Sequence, residues 1–173
     1  MSSKGVRWWL LAEGKNDERF ALELAARLGL NDRPVSVSIT PSGAGSAWVR
    51  RQYPGMVRTT VRKRAGERVV LIVMVDGDNL GFARRKRELD QTLADSGGAL
   101  RTATEPVIVL VPTWSVETWL VIPPATLETV TFKNQLRDPL PAHYAQAVTR
   151  LVSPSPTDLP SIRDGSTELS RLP

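Results

Sequence analysis

The stretch LIVMVDGDNLG, residues 71–81, decides how the fold of this chain is interpreted. Apolar residues run without a break into Asp76-Gly77-Asp78, so two carboxylates stand one residue apart at the end of the most apolar segment. This run predicts a fully buried central strand, which is typical of a parallel sheet. Charge beside a hydrophobic core is costly unless something compensates it, and a bound metal ion is one candidate.

Three further segments predict strands on either side of this one. VRWWLLAEG (6–14) predicts a buried strand, RPVSVSIT (33–40) alternates apolar and polar residues, and EPVIVLVP (105–112) is again apolar. Helical spacing predicts helices between them, at 16–29 with Asn16 as N-cap and Gly29 as terminator, in a region after residue 47 that breaks near Pro54-Gly55, at 82–96, and from Ser115 onward.

Strands that alternate with helices over short loops predict an α/β fold. We expect a single Rossmann-like domain with a mainly parallel central sheet and helices on both faces. Residues 6–122 form its predicted core, and residues 123–173, with short helices at 142–152 and 161–172, form a C-terminal extension packed on the same domain. Neither an internal repeat nor a second apolar core appears in the sequence.

Acidic side chains follow three of the four predicted strands. Glu13 ends the first, Asp76 and Asp78 end the third, and Glu117 lies just beyond the fourth, while Asp17 follows Glu13 by one helical turn. In a parallel sheet, sites form beyond the carboxyl ends of the strands, so these acids should face one edge. Carboxylate oxygens suit Mg²⁺ or Mn²⁺, and we expect one of these ions as cofactor.

The composition excludes several other kinds of site. The chain has no cysteine, which excludes disulfides and thiolate metal sites and fits a reducing, cytoplasmic location. Its one histidine, His143, argues against a histidine-rich zinc site and a Ser-His-Asp triad. The apolar runs are too short to cross a bilayer, so no membrane association is expected, and the N-terminal segment is interpreted as a strand rather than a signal peptide.

Positive charge is concentrated in one part of the chain. Residues 50–87 contain eleven Lys and Arg against three Asp and Glu, while the whole chain carries a net charge of +5. Such a block suits a phosphate backbone, although two solvated helix faces would give the same pattern. The predicted nucleic-acid-binding residues lie in or near the motifs above: Lys15, Arg50, Arg51, Arg84, Arg85 and Lys86.

LLAEGKNDERF (10–20) and VMVDGDNLG (73–81), in this order and at strand ends, resemble the Toprim domain. This is the α/β module of type IA and type II topoisomerases, DnaG-type primases and OLD-family nucleases. An acid four residues after the glutamate, here Asp17, and a Ser-x-Glu element, here Ser115 to Glu117, are similar to the OLD-type branch. The resemblance covers roughly residues 6–122, and no ATPase motif accompanies it.

The resemblance implies metal-dependent phosphodiester chemistry on nucleic acid, DNA more than RNA, of an endonuclease type that fits a bacterial or phage defence system. Asp76 and Asp78 would hold one Mg²⁺, Glu13 would bind metal or act as general acid or base, and Asp17 and Glu117 would complete a second site. A basic residue near the metals would also belong to the branch, with Lys15, Lys86 and Lys133 as candidates. A partner ATPase and a homo-oligomer are the implied protein partners.

Structural explanations exist for the same residues. Asp-Gly and Asp-Asn form turns, and first-turn acids such as Asp17 and Glu117 favour a helix dipole. PSGAGSAW (41–48) is interpreted as a turn rather than a phosphate-binding loop. Trp48, Trp114 and Trp119 are interpreted as packing residues in preference to residues that stack on bases. Two other functions stay open: a non-catalytic Toprim-like assembly module, and an aspartate-dependent phosphatase, which would carry its Asp-x-Asp after the first strand.

Overall fold

The computed structural model describes residues 5–42, 44–121 and 136–173. Its sheet has four parallel strands in the order β2-β1-β3-β4. The strands are β1 (Arg7–Ala12), β2 (Ser36–Ile39), β3 (Val69–Met74) and β4 (Val107–Leu110). Every residue of β3 is buried, as its unbroken apolar run predicts, whereas the edge strand β2 is shorter than predicted and more exposed than β3.

The described residues include six α-helices that connect and cover these strands: α1 (Lys15–Arg27), α2 (Gly45–Met56), α3 (Phe82–Asp95), α4 (Val116–Val121), α5 (Pro141–Val152) and α6 (Pro160–Glu168). A π-helical turn at Val57–Val61 and a 3₁₀ turn at Arg62–Arg64 continue α2, and a second 3₁₀ turn at Leu169–Arg171 continues α6. No helix within the described residues is both long and apolar enough to cross a membrane.

Side chains that alternate along the strands pack into two apolar clusters, one on each face of the sheet. Trp8 and Leu10 point into a core shared with α1, α4, α5 and α6, while Trp9 and Leu11 point into a second core with α2 and α3. Successive side chains of a strand face opposite sides, so a strand buried on both faces must be apolar throughout. The predicted α/β fold, with a parallel sheet and helices on both faces, is therefore confirmed.

The predicted helix break at Pro54 is wrong. Pro54 lies inside α2 and is buried, and the helix continues into the π-helical turn. Proline cannot donate the bond that would reach the carbonyl of Arg50. Burial of Val49, Tyr53 and Val57 along one face holds the helix together, so packing outweighs the local cost of the proline.

The described part of the C-terminal region packs against the same core as α1. Gly165 of α6 lies so close to its neighbours that an added Cβ would approach Leu151 Cδ1 to 2.8 Å and Leu110 Cδ2 to 3.3 Å. Trp119 of α4 stacks at a tilt on Phe20 and donates its indole N–H to Ser161 Oγ at 2.8 Å. Trp119 is thus a packing residue, and the stacking role considered for it is wrong. Residues 123–135 of the predicted extension lie outside the described residues.

Glu168 fastens α6 to the edge of β4. Its carboxylate accepts hydrogen bonds from Lys86 Nζ at 2.8 Å, from Arg101 Nη1 at 2.8 Å and from the main-chain N–H of Val109 at 3.1 Å. Burial alone would raise the pKa of this carboxyl, but the hydrogen bonds and charges of Arg101 and Lys86 lower it below its ordinary value. The ionised form of Glu168 therefore stabilises the fold.

We expect Glu168→Gln to lower the free energy of unfolding by about 2 kcal/mol at neutral pH, because hydrogen bonds to a charged group contribute about 1.5–3 kcal/mol. A lowered folded pKa means that this stabilisation is present above the ordinary value of 4.5 and is lost as pH falls through the folded value. Urea denaturation of both proteins from about pH 7 down to about pH 3 should show the difference shrinking below about pH 4.5. A difference that stays constant over this range would contradict the assignment.

Candidate metal and nucleic-acid site

The strand order places a crevice between β1 and β3. The chain leaves β1 for β2 on one side of the sheet, while β3 lies on the other side of β1. Helix α1 covers one face and α3 covers the opposite face, so the connections after β1 and β3 diverge. In open α/β sheets such a switch point forms a crevice at the carboxyl ends of the strands, where ligands bind.

Four of the five predicted metal ligands line one cleft of about 300 Å³ at this position. They come from segments far apart in sequence and stand beyond three different strands: Glu13, Asp17, Asp76 and Glu117. Gly14, Lys15, Asn16 and Val116 complete the lining. The acidic edge that the strand ends predict is therefore present in the fold.

Glu13 and Asp76 are joined directly across the switch point. The main-chain N–H of Asp76 donates a hydrogen bond of 3.0 Å to Glu13 Oε1. Asp76 is only 6% exposed. Because the donor is a backbone amide, this bond fixes the Glu13 carboxylate without using the Asp76 side chain.

Asp17 both lines the cleft and caps α1. Its Oδ2 accepts the Gly14 N–H at 2.9 Å, and Gly14 is the N-cap residue. Asn16 lies inside the helix, so its predicted role as N-cap is wrong. A carboxylate at the third helical position satisfies an otherwise unpaired amide and interacts favourably with the helix dipole. The structural explanation for Asp17 therefore holds, and it is compatible with a second role in the cleft.

Asn16 instead connects Glu117 to the C-terminal helix α5. Its side-chain amide donates to Glu117 Oε1 at 2.8 Å, and its carbonyl oxygen accepts the Tyr144 hydroxyl at 3.0 Å. Burial raises the pKa of Tyr144, with a smaller opposing effect from Arg19, so the hydroxyl stays protonated and keeps donating. Sequence reasoning missed this bridge, because Asn16 and Tyr144 are 128 positions apart.

We expect Asn16→Ala to lower the free energy of unfolding by about 1–2 kcal/mol, because Glu117 and Tyr144 each lose a hydrogen-bond partner. Tyr144→Phe removes only the outer bond and should cost less, about 1 kcal/mol. Thermal unfolding of the two variants beside wild type checks the order. If both variants unfold at the same temperature as wild type, the bridge contributes nothing to stability.

The loops after β3 and β4 are bonded to each other through Gly77. Its N–H donates to Pro112 O at 3.0 Å, and the next amide, of Asp78, donates to Trp114 O at 3.1 Å. A Cβ on Gly77 would lie 2.3 Å from Thr113 O. Glycine is therefore required for close approach, and this approach brings the aspartate loop beside the loop that leads into α4, whose first turn contains Glu117.

Asp78 is placed differently from Asp76. It is not among the residues that line the cleft, and its Oδ2 accepts a hydrogen bond of 3.1 Å from Arg85 Nη2. Its backbone is left-handed, with φ of +49°, a conformation that aspartate tolerates better than most residues. The carboxylates of Asp76 and Asp78, which the resemblance assigns to the same metal ion, therefore occupy different environments.

The six predicted nucleic-acid-binding residues divide into two groups. Lys15, Arg51 and Arg84 are exposed, and Lys15 lines the cleft while pairing with Glu18 at 2.8 Å. Arg50 and Lys86 are partly buried and Arg85 is buried, and all three pair with acidic side chains: Arg50 and Arg85 with Glu88, and Lys86 with Asp164 and Glu168. The first group is available for phosphate contacts, whereas the second group serves the fold. Lys133 lies outside the described residues.

Two tryptophans and Ser115 also lie near the site. Trp48 and Trp114 are half-buried, so each keeps an accessible part of its ring. Ser115 stands before α4 but does not act as a side-chain cap, since its buried Oγ has no hydrogen-bond partner. Thr118 Oγ1 accepts the Ser115 N–H at 3.4 Å instead.

The donor chemistry of the cleft fits a hard divalent cation, because its polar lining is dominated by carboxylates. Carboxylates gathered in one cleft repel one another, and a cation would relieve that repulsion. Within the described residues, however, no three acidic or histidine side chains form a group that could hold a metal ion. The lining thus supplies the ligand types without a preformed three-carboxylate centre.

Comparison of the chain with protein-family models, with curated proteins and with solved structures gives no match.

Proposed function

We propose that this protein hydrolyses phosphodiester bonds in nucleic acid, DNA in preference to RNA, with Mg²⁺ or Mn²⁺ as cofactor, as a Toprim-type endonuclease. The observation that carries the proposal is the cleft at the β1/β3 switch point. Acidic side chains that follow β1, β3 and β4 line it together. Phosphoryl-transfer sites need such oxygen ligands, since the bound metal has to neutralise charge on the phosphate.

The acidic side chains of the cleft would hold the cation. Asp76 and Glu13 are the first candidates, because the Asp76 amide already holds Glu13 in place at 3.0 Å. Asp17 and Glu117 line the same cleft and would extend the ligand set. When bound, the metal would supply an activated water and a Lewis acid for the scissile phosphate. Glu13 would serve as a ligand or as the general acid or base.

Exposed cations beside the cleft would hold the nucleic acid strand. Lys15 lines the cleft itself, Arg84 lies in the first turn of α3, and Arg51 lies near the middle of α2; both helices start at the carboxyl edge of the sheet. Contacts of this type act through phosphate charge, so binding should weaken steeply with salt. A cytoplasmic location, a role in defence, action beside a partner ATPase and self-association are further parts of the proposal that the Toprim resemblance suggests.

A second candidate function is a non-catalytic assembly module with the same fold. The observation in its favour is that no three acidic side chains of the described residues form a group able to hold a metal ion. In this alternative the basic residues bind nucleic acid while the carboxylates serve the fold, as Asp17 does in capping α1.

A cleavage assay separates these functions. The purified chain is incubated with plasmid, linear duplex and single-stranded DNA and with RNA, in Mg²⁺, in Mn²⁺ and in EDTA, beside a chromogenic phosphate monoester. Metal-dependent cleavage of a nucleic acid without hydrolysis of the ester is the expected result. Hydrolysis of the ester alone would indicate a phosphatase. Binding without cleavage under every condition would favour the assembly module.

A further inference from the structure

Arg85 is a buried arginine inside the candidate site. It lies one turn into α3 and is 4% exposed. A buried charge is unfavourable unless hydrogen bonds and opposite charges compensate it. The side chain therefore needs several well-placed partners, and the loop after β3 together with Glu88 of α3 provides them.

Three groups around Arg85 accept hydrogen bonds, each from a different nitrogen of the guanidinium. Nε donates to the main-chain oxygen of Asp76 at 2.9 Å, Nη2 donates to Asp78 Oδ2 at 3.1 Å, and Nη1 donates to Glu88 Oε2 at 2.8 Å. The guanidinium is planar and rigid, so these contacts hold both ends of the Asp76-Gly77-Asp78 turn in one orientation. A lysine at this position would provide one point charge without the fork.

We propose that Arg85 is a positioning residue that locks this turn, and that the two aspartates therefore have separate roles. Asp78 is the anchor whose carboxylate is engaged by Arg85. Asp76 is the residue that the turn presents to the cleft, where it stands beside Glu13. The assignment of a cation to Asp76 rests on the proposed function, whereas the locking of the turn by Arg85 does not.

The effect of Arg85 on the turn is visible without any metal. In Arg85→Lys the amides of Gly77 and Asp78 should exchange with solvent at least tenfold faster than in wild type, because the turn loses two of its anchoring bonds. Hydrogen exchange of the peptide covering residues 76–81, read by mass spectrometry, measures this. Arg27→Lys is the matched control, since Arg27 is exposed in the last turn of α1, at the opposite end of the sheet.

Mn²⁺ binding gives a second readout, which tests whether the locked turn positions Asp76 for a cation. Arg85→Lys should weaken Mn²⁺ affinity at least tenfold. Asp78→Asn, which keeps a residue suited to positive φ and leaves α3 unaltered, should also speed exchange of the turn. It should weaken Mn²⁺ binding less than Asp76→Asn does. Arg27→Lys should bind Mn²⁺ like wild type.

The outcomes separate the two levels of the proposal. If residues 76–81 exchange at the wild-type rate in both Arg85→Lys and Asp78→Asn, the locking role is overturned regardless of the Mn²⁺ affinities. If Asp78→Asn loses as much Mn²⁺ affinity as Asp76→Asn does, the two aspartates do not have separate roles. Faster exchange in a protein that binds no Mn²⁺ even as wild type would uphold Arg85 as the lock and reject the proposed cofactor.

Discussion

Asp76→Asn should lower metal-dependent cleavage by about 10³-fold or more. Loss of one preorganised electrostatic group from an active site costs about 10²–10³ in rate, and loss of a direct metal ligand should cost at least the upper end of that range. Asparagine keeps the shape of the side chain, and the bond to Glu13 Oε1 comes from the backbone amide. The substitution therefore removes the negative charge and keeps both the side-chain shape and the backbone bond to Glu13.

The measurement is the initial cleavage rate in Mg²⁺ and in Mn²⁺, with thermal unfolding of the same preparations. Asp32→Asn is the matched control, because it makes the same chemical change at an exposed position beyond the end of α1. It should cleave and unfold like wild type. Cleavage by Asp76→Asn within about tenfold of wild type would remove Asp76 from the catalytic site.

Gly77→Ala should destabilise the protein by about 4 kcal/mol, which is at the upper end of single-substitution effects. The added Cβ would lie 2.3 Å from Thr113 O and 2.5 Å from Pro112 O, and both are backbone atoms that cannot rotate away. One of the two loops must move, and the hydrogen bonds from Gly77 N–H and Asp78 N–H would then be lost. Overpacking and unpaired amides add to each other here.

Gly55→Ala provides the control for this substitution. Gly55 lies in α2 with no atom within 4 Å of a Cβ, and alanine favours a helix over glycine by about 1 kcal/mol. Urea denaturation should therefore show the two glycine-to-alanine changes moving stability in opposite directions. A Gly77→Ala protein as stable as wild type would show that the loops after β3 and β4 do not approach as closely as described.

The periodicity of the sequence predicts most of the fold. The unbroken apolar run of β3 predicts both the strand and its burial, whereas the alternation around Val37 predicts only the strand. Gly29 ends the helical segment as expected, with φ of +67°. The helix through Pro54 was not predictable from local signals, because the buried face of α2 decides it. Propensity acts within a turn or two, whereas this packing involves the sheet.

The candidate site was predictable as a set of residue types at strand ends. Strand order then explains why Glu13 and Asp76 become neighbours, since β1 and β3 pair directly. The different surroundings of Asp78, the burial of Arg85 and the bridge through Asn16 were not predictable. Each depends on side chains that meet only after the loops and helices have packed, and sequence spacing carries no record of such contacts.

The cation site is tested most directly by titrating the purified chain with Mn²⁺ in a calorimeter at low ionic strength, with Asp76→Asn and Glu13→Gln beside wild type. We expect saturable binding to wild type that is lost in Asp76→Asn and weakened in Glu13→Gln. The control Asp32→Asn should bind as wild type does. Equal binding by wild type and Asp76→Asn, or no binding by wild type, would contradict the claim that the cleft between β1 and β3 is a divalent-cation site.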